Sequence, residues 1–157
     1  MSAKTGTAVA TKITPTELAS WRSMLDTTMA LRRQLQHVIT DASGLSEQDF
    51  LVLLALIEAK GKPLRASDLA EQIGWDRSRL SHHLTRMETR KLITRETCKI
   101  DSRGTELRIT EAGRNLMREA TGPHFAALKE LFANTLSPQE IDQLANITGK
   151  LASRLLA

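Results

Sequence analysis

Residues 74–93 form a segment whose side-chain types and spacing suit binding to a polyanion. Leu80, Leu84 and Met87 recur at the spacing of one helical face, and Asp76 can cap the start of that helix. The opposite face is cationic and polar, with no acid before its last turn: Arg77, Ser78, Arg79, Ser81, His82, Thr85 and Arg86. The major groove of DNA admits such a helix and presents acceptors to arginine. An ordinary solvated helix has a similar composition, so the neighbouring elements must decide between the two interpretations.

The polar residues of this segment are expected to differ in what they contact. Arg79 and Arg86 are expected to reach base edges, because a guanidinium can donate two hydrogen bonds to one base. Four others are expected to contact phosphates, which position a protein but carry little sequence information: Arg77, Ser78, Ser81 and His82.

Catalytic and metal-binding motifs are absent from the sequence. His82 and His83 are adjacent, so on a helix their side chains point about 100° apart and do not form a chelating pair. We expect His83 to be partly buried beside the third helix. The sequence has no phosphate-binding loop, nucleophile elbow or clustered acid–base set. These observations argue against an enzyme, and neither a metal nor a cofactor is predicted.

Positive charge is concentrated in one part of the chain. The formal net charge is +4, and the sequence isoelectric point is about 9.6. Residues 62–108 contain 11 Lys and Arg against 7 Asp and Glu, so this region carries the entire excess. Localised positive charge indicates a polyanionic partner such as nucleic acid.

The remaining composition is that of a helical protein of the cytoplasm. Aromatic residues make up only 3% of the 157 residues, so the core must consist of Leu, Ile, Ala and Met, which favours packed helices. Cys98 is the single cysteine, which excludes an internal disulfide and indicates a reducing compartment. No run of about 18 apolar residues and no signal-peptide core are present, so we expect a cytoplasmic protein without a membrane partner.

Caps and hydrophobic periodicity predict a mainly α-helical protein with one β-hairpin. The predicted order is a helix ending near 40, a buried helix around 50–57, a short helix over 66–73, the basic helix after Asp76, strands over 93–98 and 105–109, a helix over 111–134, and a last helix from 138 onward. Gly122–Pro123 is expected to interrupt and kink the fifth helix, because proline removes a backbone hydrogen bond.

The central elements are arranged as a helix-turn-helix followed by a hairpin, or wing. Gly74 provides a tight turn between the short third helix and the basic fourth one. The terminal helices carry long apolar stripes, which in the last helix comprise Ile141, Leu144, Ile147, Leu151 and Leu155. Stripes of this length need a partner surface, and a second copy of the chain is the simplest source.

The ordered set of motifs resembles the MarR family of winged helix-turn-helix transcriptional regulators. The resemblance covers nearly all of the chain from Thr14. It is carried, in order, by LRASDLA at 64–70, SRLSHHL at 78–84 with RME at 86–88, LITR at 92–95, DSRG at 101–104, and LRITEAG at 107–113. Lys91 departs from the family pattern, since many members have Gly there; a lysine ending the helix in a left-handed conformation would be strained.

The resemblance implies a homodimer that places two recognition helices in successive major grooves of a pseudo-palindromic site. It implies that Arg103 enters a minor groove and that Asp101 supports it at the wing tip. It also adds Ser67 and Arg95 to the expected DNA-binding residues. Residues 1–12 are small and polar and are expected to form a disordered tail. The resemblance implies a single domain at 13–157. That domain comprises dimerisation helices (13–45 and 111–157) and a winged-helix DNA-binding lobe (46–110).

We therefore interpret the sequence as a DNA-binding regulator, a repressor released by a small aromatic or phenolic effector or by a stress signal. No ligand-binding residue is assigned. One alternative is a winged-helix protein-interaction module without DNA binding, which the concentrated positive charge disfavours. Another is an oxidation sensor acting through Cys98. That residue lies on the predicted wing strand, whereas the sensor cysteines of relatives lie near the start of the chain.

Overall fold

A computed structural model describes residues 12–97 and 104–155, in which helices predominate and the strands are short. In chain order the elements are α1 (Pro15–Ser43), α2 (Glu47–Glu58), β1 (Leu64–Arg65), α3 (Ala66–Ile73), α4 (Arg77–Thr89), β2 (Ile93–Thr97), β3 (Thr105–Ile109), α5 (Glu111–Leu128), a π-helical segment (Lys129–Ala133) and α6 (Pro138–Leu155). The predicted fold class is confirmed. The predicted tail at 1–12 lies almost wholly outside the described residues.

Capping interactions are found at the helix starts that the sequence predicts. Ser46 and Asp49 form a reciprocal capping box at the start of α2, with both hydrogen bonds 3.0 Å long. At α6, the Glu140 carboxylate accepts from the Ser137 backbone N–H at 2.8 Å, and the Ser137 hydroxyl accepts from the Glu140 backbone at 3.3 Å. Each box satisfies backbone donors that a helix start leaves without intrahelical partners.

The chain divides into two compact units within α1, between Arg33 and Gln34. In the first unit, α1 exposes the large apolar side chains of Trp21, Met24, Leu25 and Met29, and Ile13 just before the helix is exposed too. A helix surface that contacts only water rarely exposes this many large apolar side chains.

The second unit contains the hydrophobic core and a three-stranded antiparallel sheet in the order β1-β3-β2. β3 is the central strand, since Leu107 is opposite Leu64 of β1 and Ile109 is opposite Ile93 of β2. The most deeply buried side chains come from the turn before α2 and from α2, α3, α4 and the sheet: Leu45, Val52, Leu53, Leu69, Leu80, Leu84, Met87, Ile93 and Leu107. The sequence predicted the β2–β3 hairpin but not β1, which is only two residues long and is recognisable only by its pairing.

The predicted interruption of the fifth helix at Gly122–Pro123 is wrong. α5 is continuous through Pro123 to Leu128, and a π-helical segment follows it. Proline removes the donor that would bond to the Glu119 carbonyl. Both Pro123 and Glu119 are exposed, so water can hydrogen-bond to that carbonyl and the helix can continue.

Lys91 follows α4 in the left-handed conformation, with φ of 58°. This is the conformation that is expected from the sequence to be strained for a lysine. Its backbone N–H donates to the Glu88 carbonyl at 2.8 Å, and the next N–H, of Leu92, donates to Met87 at 3.0 Å. A side chain in this region costs about 1–2 kcal/mol relative to the right-handed region. The turn at Lys91 connects α4 to β2, which begins two residues later at Ile93.

Candidate nucleic-acid interface

α4 presents one buried face and one cationic face. Asp76 caps the helix by accepting a hydrogen bond from the Arg79 backbone at 2.8 Å. Gly74, at φ of 67°, makes the turn that joins α3 to α4. The buried face consists of Leu80, His83, Leu84 and Met87. All the polar candidates of the helix are exposed: Arg77, Ser78, Arg79, Ser81, His82, Thr85 and Arg86.

A groove of about 370 Å³ lies between α3, α4 and the sheet. It brings together four residues expected to bind DNA, two of them arginines: Ser67, Arg77, Ser81 and Arg95. Arg65 and Thr105 also line the groove and were not identified from the sequence. No acidic residue is among the described residues that line it. Three guanidinium groups and three hydroxyls around one groove provide a surface suited to phosphate oxygens.

Arg95 fastens the wing strand to α4. One of its terminal nitrogens donates to the Ser81 carbonyl at 3.1 Å and to the Thr85 hydroxyl at 2.6 Å. Its Nε lies 3.4 Å from a Glu88 carboxylate oxygen. The side chain therefore sets the position of β2 against the helix, and a DNA contact by Arg95 stays a prediction.

The two arginines expected to contact base edges are each held by an aromatic ring. The Arg79 guanidinium lies 4.3 Å from the centre of the Trp75 ring. A terminal guanidinium nitrogen of Arg86 lies 3.0 Å from Nδ1 of His83. The Trp75 and His83 rings contact each other edge to face, with centroids 5.5 Å apart. Both arginines therefore start from defined positions on the surface of α4.

His83 bridges the recognition helix to a buried carboxylate on α2. Its Nε2 lies 3.1 Å from Oδ1 of Asp49, whose other oxygen accepts from Arg90 at 2.7 Å. His83 was expected to be partly buried beside the third helix. The ring is buried, and the polar group nearest to it belongs to α2. The signal in the sequence was a histidine on the apolar stripe, which requires a hydrogen-bonding partner inside.

Asp49 is 2% exposed yet stays charged. Burial alone would raise its pKa, but the contact with His83 and the hydrogen bonds from Arg90 and Ser46 outweigh burial and hold the pKa of the carboxyl far below its ordinary value. Because several groups contact this carboxylate, its position and theirs are fixed relative to one another.

The wing tip lies outside the described residues, which exclude 98–103. The expectations for Asp101, Arg103 and Cys98 therefore stay predictions. Within residues 12–97 and 104–155, no three potential metal ligands lie together. In the same ranges, no helix has both the length and the apolar character needed to cross a bilayer.

Comparison with known proteins places this arrangement in a family. A model of the MarR family matches residues 43–104. The transcriptional repressor MprA of Escherichia coli (strain K12) is 33% identical over 114 residues, which are 73% of this chain and 64% of that protein. The chain thus matches slightly less than two thirds of the length of that repressor.

Two solved structures from Streptomyces coelicolor are similar over almost their whole length. AbsC, a MarR family transcriptional regulator, is 35% identical with a TM-score of 0.85, over 92% of this chain and 97% of that one. Sco3205, a MarR family regulator solved in complex with DNA, is 28% identical with a TM-score of 0.85, over 92% and 94%. On this similarity of sequence and fold, the chain belongs to the MarR family of transcriptional regulators.

Proposed function

We propose that a homodimer of this chain binds a pseudo-palindromic DNA site in the cytoplasm and represses transcription. The DNA-binding lobe is 46–110, with α4 in the major groove and the wing beside it, and 13–45 and 111–157 form the dimer. The observation that carries the proposal is the cationic face of α4, which continues into the arginine-lined groove beside the wing. The DNA complex of Sco3205 and the repressor activity named for MprA support it.

Dimerisation is supported by the surface of α6. The helix has no buried residue, although an apolar stripe runs along it. Its exposed members are Leu144, Ile147, Leu151 and Leu155. A contiguous exposed stripe of this kind marks a protein interface, and a closed two-fold dimer covers the same stripe on both copies.

Ile147→Asp is expected to weaken the dimer about 100-fold, because it places a charge in the centre of the apolar stripe. Sedimentation equilibrium over a range of protein concentrations measures the dimer dissociation constant. Asn146→Asp is the matched control, since it adds the same charge to the opposite side of α6. A dimer that tolerates both substitutions equally would exclude α6 from the interface.

Arg79→Ala is expected to reduce affinity for the preferred DNA site about 10–100-fold and to relax the preference at one base pair. Arg77→Ala should instead weaken binding to all duplexes alike and lower the slope of log affinity against log salt by about 1. Fluorescence anisotropy with a site selected from random duplexes measures both effects. Lys150→Ala, on α6, is the control for loss of a positive charge.

The salt dependence also separates the proposal from its first alternative. A winged-helix protein-interaction module would bind duplex DNA weakly and without a steep salt dependence.

Release by an aromatic or phenolic effector or by a stress signal is part of the same proposal. An effector would act by binding one spacing of the two lobes better than another, which shifts the population away from the DNA-binding form.

A further inference from the structure

Trp75 and His83 form a connected support beneath the two arginines expected to contact bases. Trp75 lies in the turn before α4 and is half-buried, and His83 lies on the buried face of the helix. The Trp75 ring lies against the Arg79 guanidinium, and the His83 ring accepts a hydrogen bond from Arg86. The two rings also contact each other. Neither residue belongs to the exposed cationic face.

We propose that Trp75 and His83 are positioning residues that hold Arg79 and Arg86 in their base-reading conformations before DNA arrives, with Asp49 fixing the orientation and tautomer of His83. The inference rests on the proposed DNA-binding function and assigns base specificity to side chains that do not touch DNA. A long arginine side chain loses rotamer freedom when it binds, so holding it in place beforehand reduces that loss.

Trp75 can hold Arg79 without using its hydrogen bonds. In a cation–π contact the ring attracts the flat face of the guanidinium, while the N–H groups point outward in the guanidinium plane. At 4.3 Å from the ring centre, Arg79 is held by a contact that uses none of its hydrogen-bond donors. A carboxylate partner would have occupied those donors.

His83 can hold Arg86 only in one protonation state and one tautomer. An arginine N–H always donates, so Nδ1 of His83 must accept and the ring proton must be on Nε2. Nε2 lies 3.1 Å from Oδ1 of Asp49, and the negative charge of that carboxylate favours a proton on this nitrogen. Asp49 is itself fixed by Arg90 and by the capping box at the start of α2. The chain of contacts therefore runs from a helix cap through His83 to the DNA-facing arginine.

Ordinary core packing would also bury these two residues, and two substitutions of His83 separate the roles. His83→Gln keeps a donor toward Asp49 near the position of Nε2 but provides no acceptor toward Arg86. His83→Asn keeps an acceptor near the position of Nδ1 but does not reach Asp49. For Trp75, Trp75→Leu removes the aromatic face and Trp75→Phe keeps one. Thermal denaturation of each variant establishes that it is folded.

The experiment measures affinity for the selected site and for every single-base variant of it, with each positioning variant alone and combined with Arg79→Ala or Arg86→Ala. Trp75→Leu and His83→Gln are expected to reduce discrimination about tenfold at the base pair read by the corresponding arginine. Trp75→Phe and His83→Asn should retain most of it. Each arginine substitution should then cost less in the background that lacks its support.

A second measurement follows order in the free protein by relaxation of the arginine side-chain ¹⁵N–H groups. Arg79 and Arg86 should be ordered in the wild type and mobile in Trp75→Leu and His83→Gln, respectively. Equal loss of affinity for all duplexes, with discrimination and side-chain order unchanged, would overturn the inference and leave the proposed function standing. Absence of salt-dependent duplex binding by the wild type would overturn both.

Discussion

Replacing Gly113 with alanine is expected to lower the free energy of unfolding by about 3 kcal/mol. A Cβ at this buried position would overlap the backbone carbonyl oxygen of Leu92 and would lie 3.0 Å from Cγ1 of Ile109 and 3.3 Å from Leu53. The same carbonyl accepts a hydrogen bond from the Thr110 backbone at 3.1 Å, so it cannot move freely. Because the obstacle is backbone, the first turn of α5 must shift away from the sheet.

Urea denaturation followed by circular dichroism measures the effect of Gly113→Ala. Gly149→Ala is the matched control, because nothing lies within 4 Å of a Cβ added there. Within a helix that change should stabilise by up to about 1 kcal/mol, since alanine has the higher helix propensity. If Gly113→Ala stayed within 0.5 kcal/mol of the wild type, the close approach of α5 to Leu92 would be wrong.

Asp49→Asn is expected to destabilise the protein by about 2–4 kcal/mol at neutral pH. The Ser46 backbone and Arg90 donate to one carboxylate oxygen, and Nε2 of His83 lies 3.1 Å from the other. The asparagine amide turns one of the two accepting atoms into a donor, so at least one contact becomes donor against donor. If the amide faces His83, the ring can adjust only by moving its proton to Nδ1, where it would oppose Arg86.

The destabilisation caused by Asp49→Asn should become smaller as the pH falls. The pKa of Asp49 is lower in the folded protein than its ordinary value of 3.8, so its stabilising contribution is complete above about pH 4. It declines as the pH falls below that value toward the folded pKa. The difference in unfolding free energy between wild type and Asp49→Asn should therefore narrow in acid. The exposed Asp41, changed to Asn, should show neither the loss nor the narrowing.

Most of the fold could be predicted because its signals are local. Capping boxes such as Ser46–Asp49 and Ser137–Glu140 involve residues three apart, so they can be recognised in the sequence and occur as expected. α3 occupies 66–73, as its short apolar pattern predicted, and Gly74 makes the left-handed turn. The interruption at Pro123 failed because a local rule does not state whether water can replace the lost donor.

The candidate interface could be predicted only in part. The exposed cationic face of α4 follows from helical periodicity, and Arg79 and Arg86 were identified by residue type alone. Their supports were missed for different reasons. Trp75 stands outside the helical pattern, and the partner of His83 is Asp49, which the sequence explains fully as a capping residue.

By itself the sequence determined the order of the helices, where each helix begins, and which face of α4 is cationic, because these depend on neighbours within one or two turns. Tertiary structure alone decided that Arg90 and His83 converge on Asp49, that Leu64 adds a third strand beside Leu107, and that Gly113 must lack a side chain. Such contacts join residues about 20–60 positions apart in the chain. Their geometry comes from packing one element on another, which no local pattern encodes.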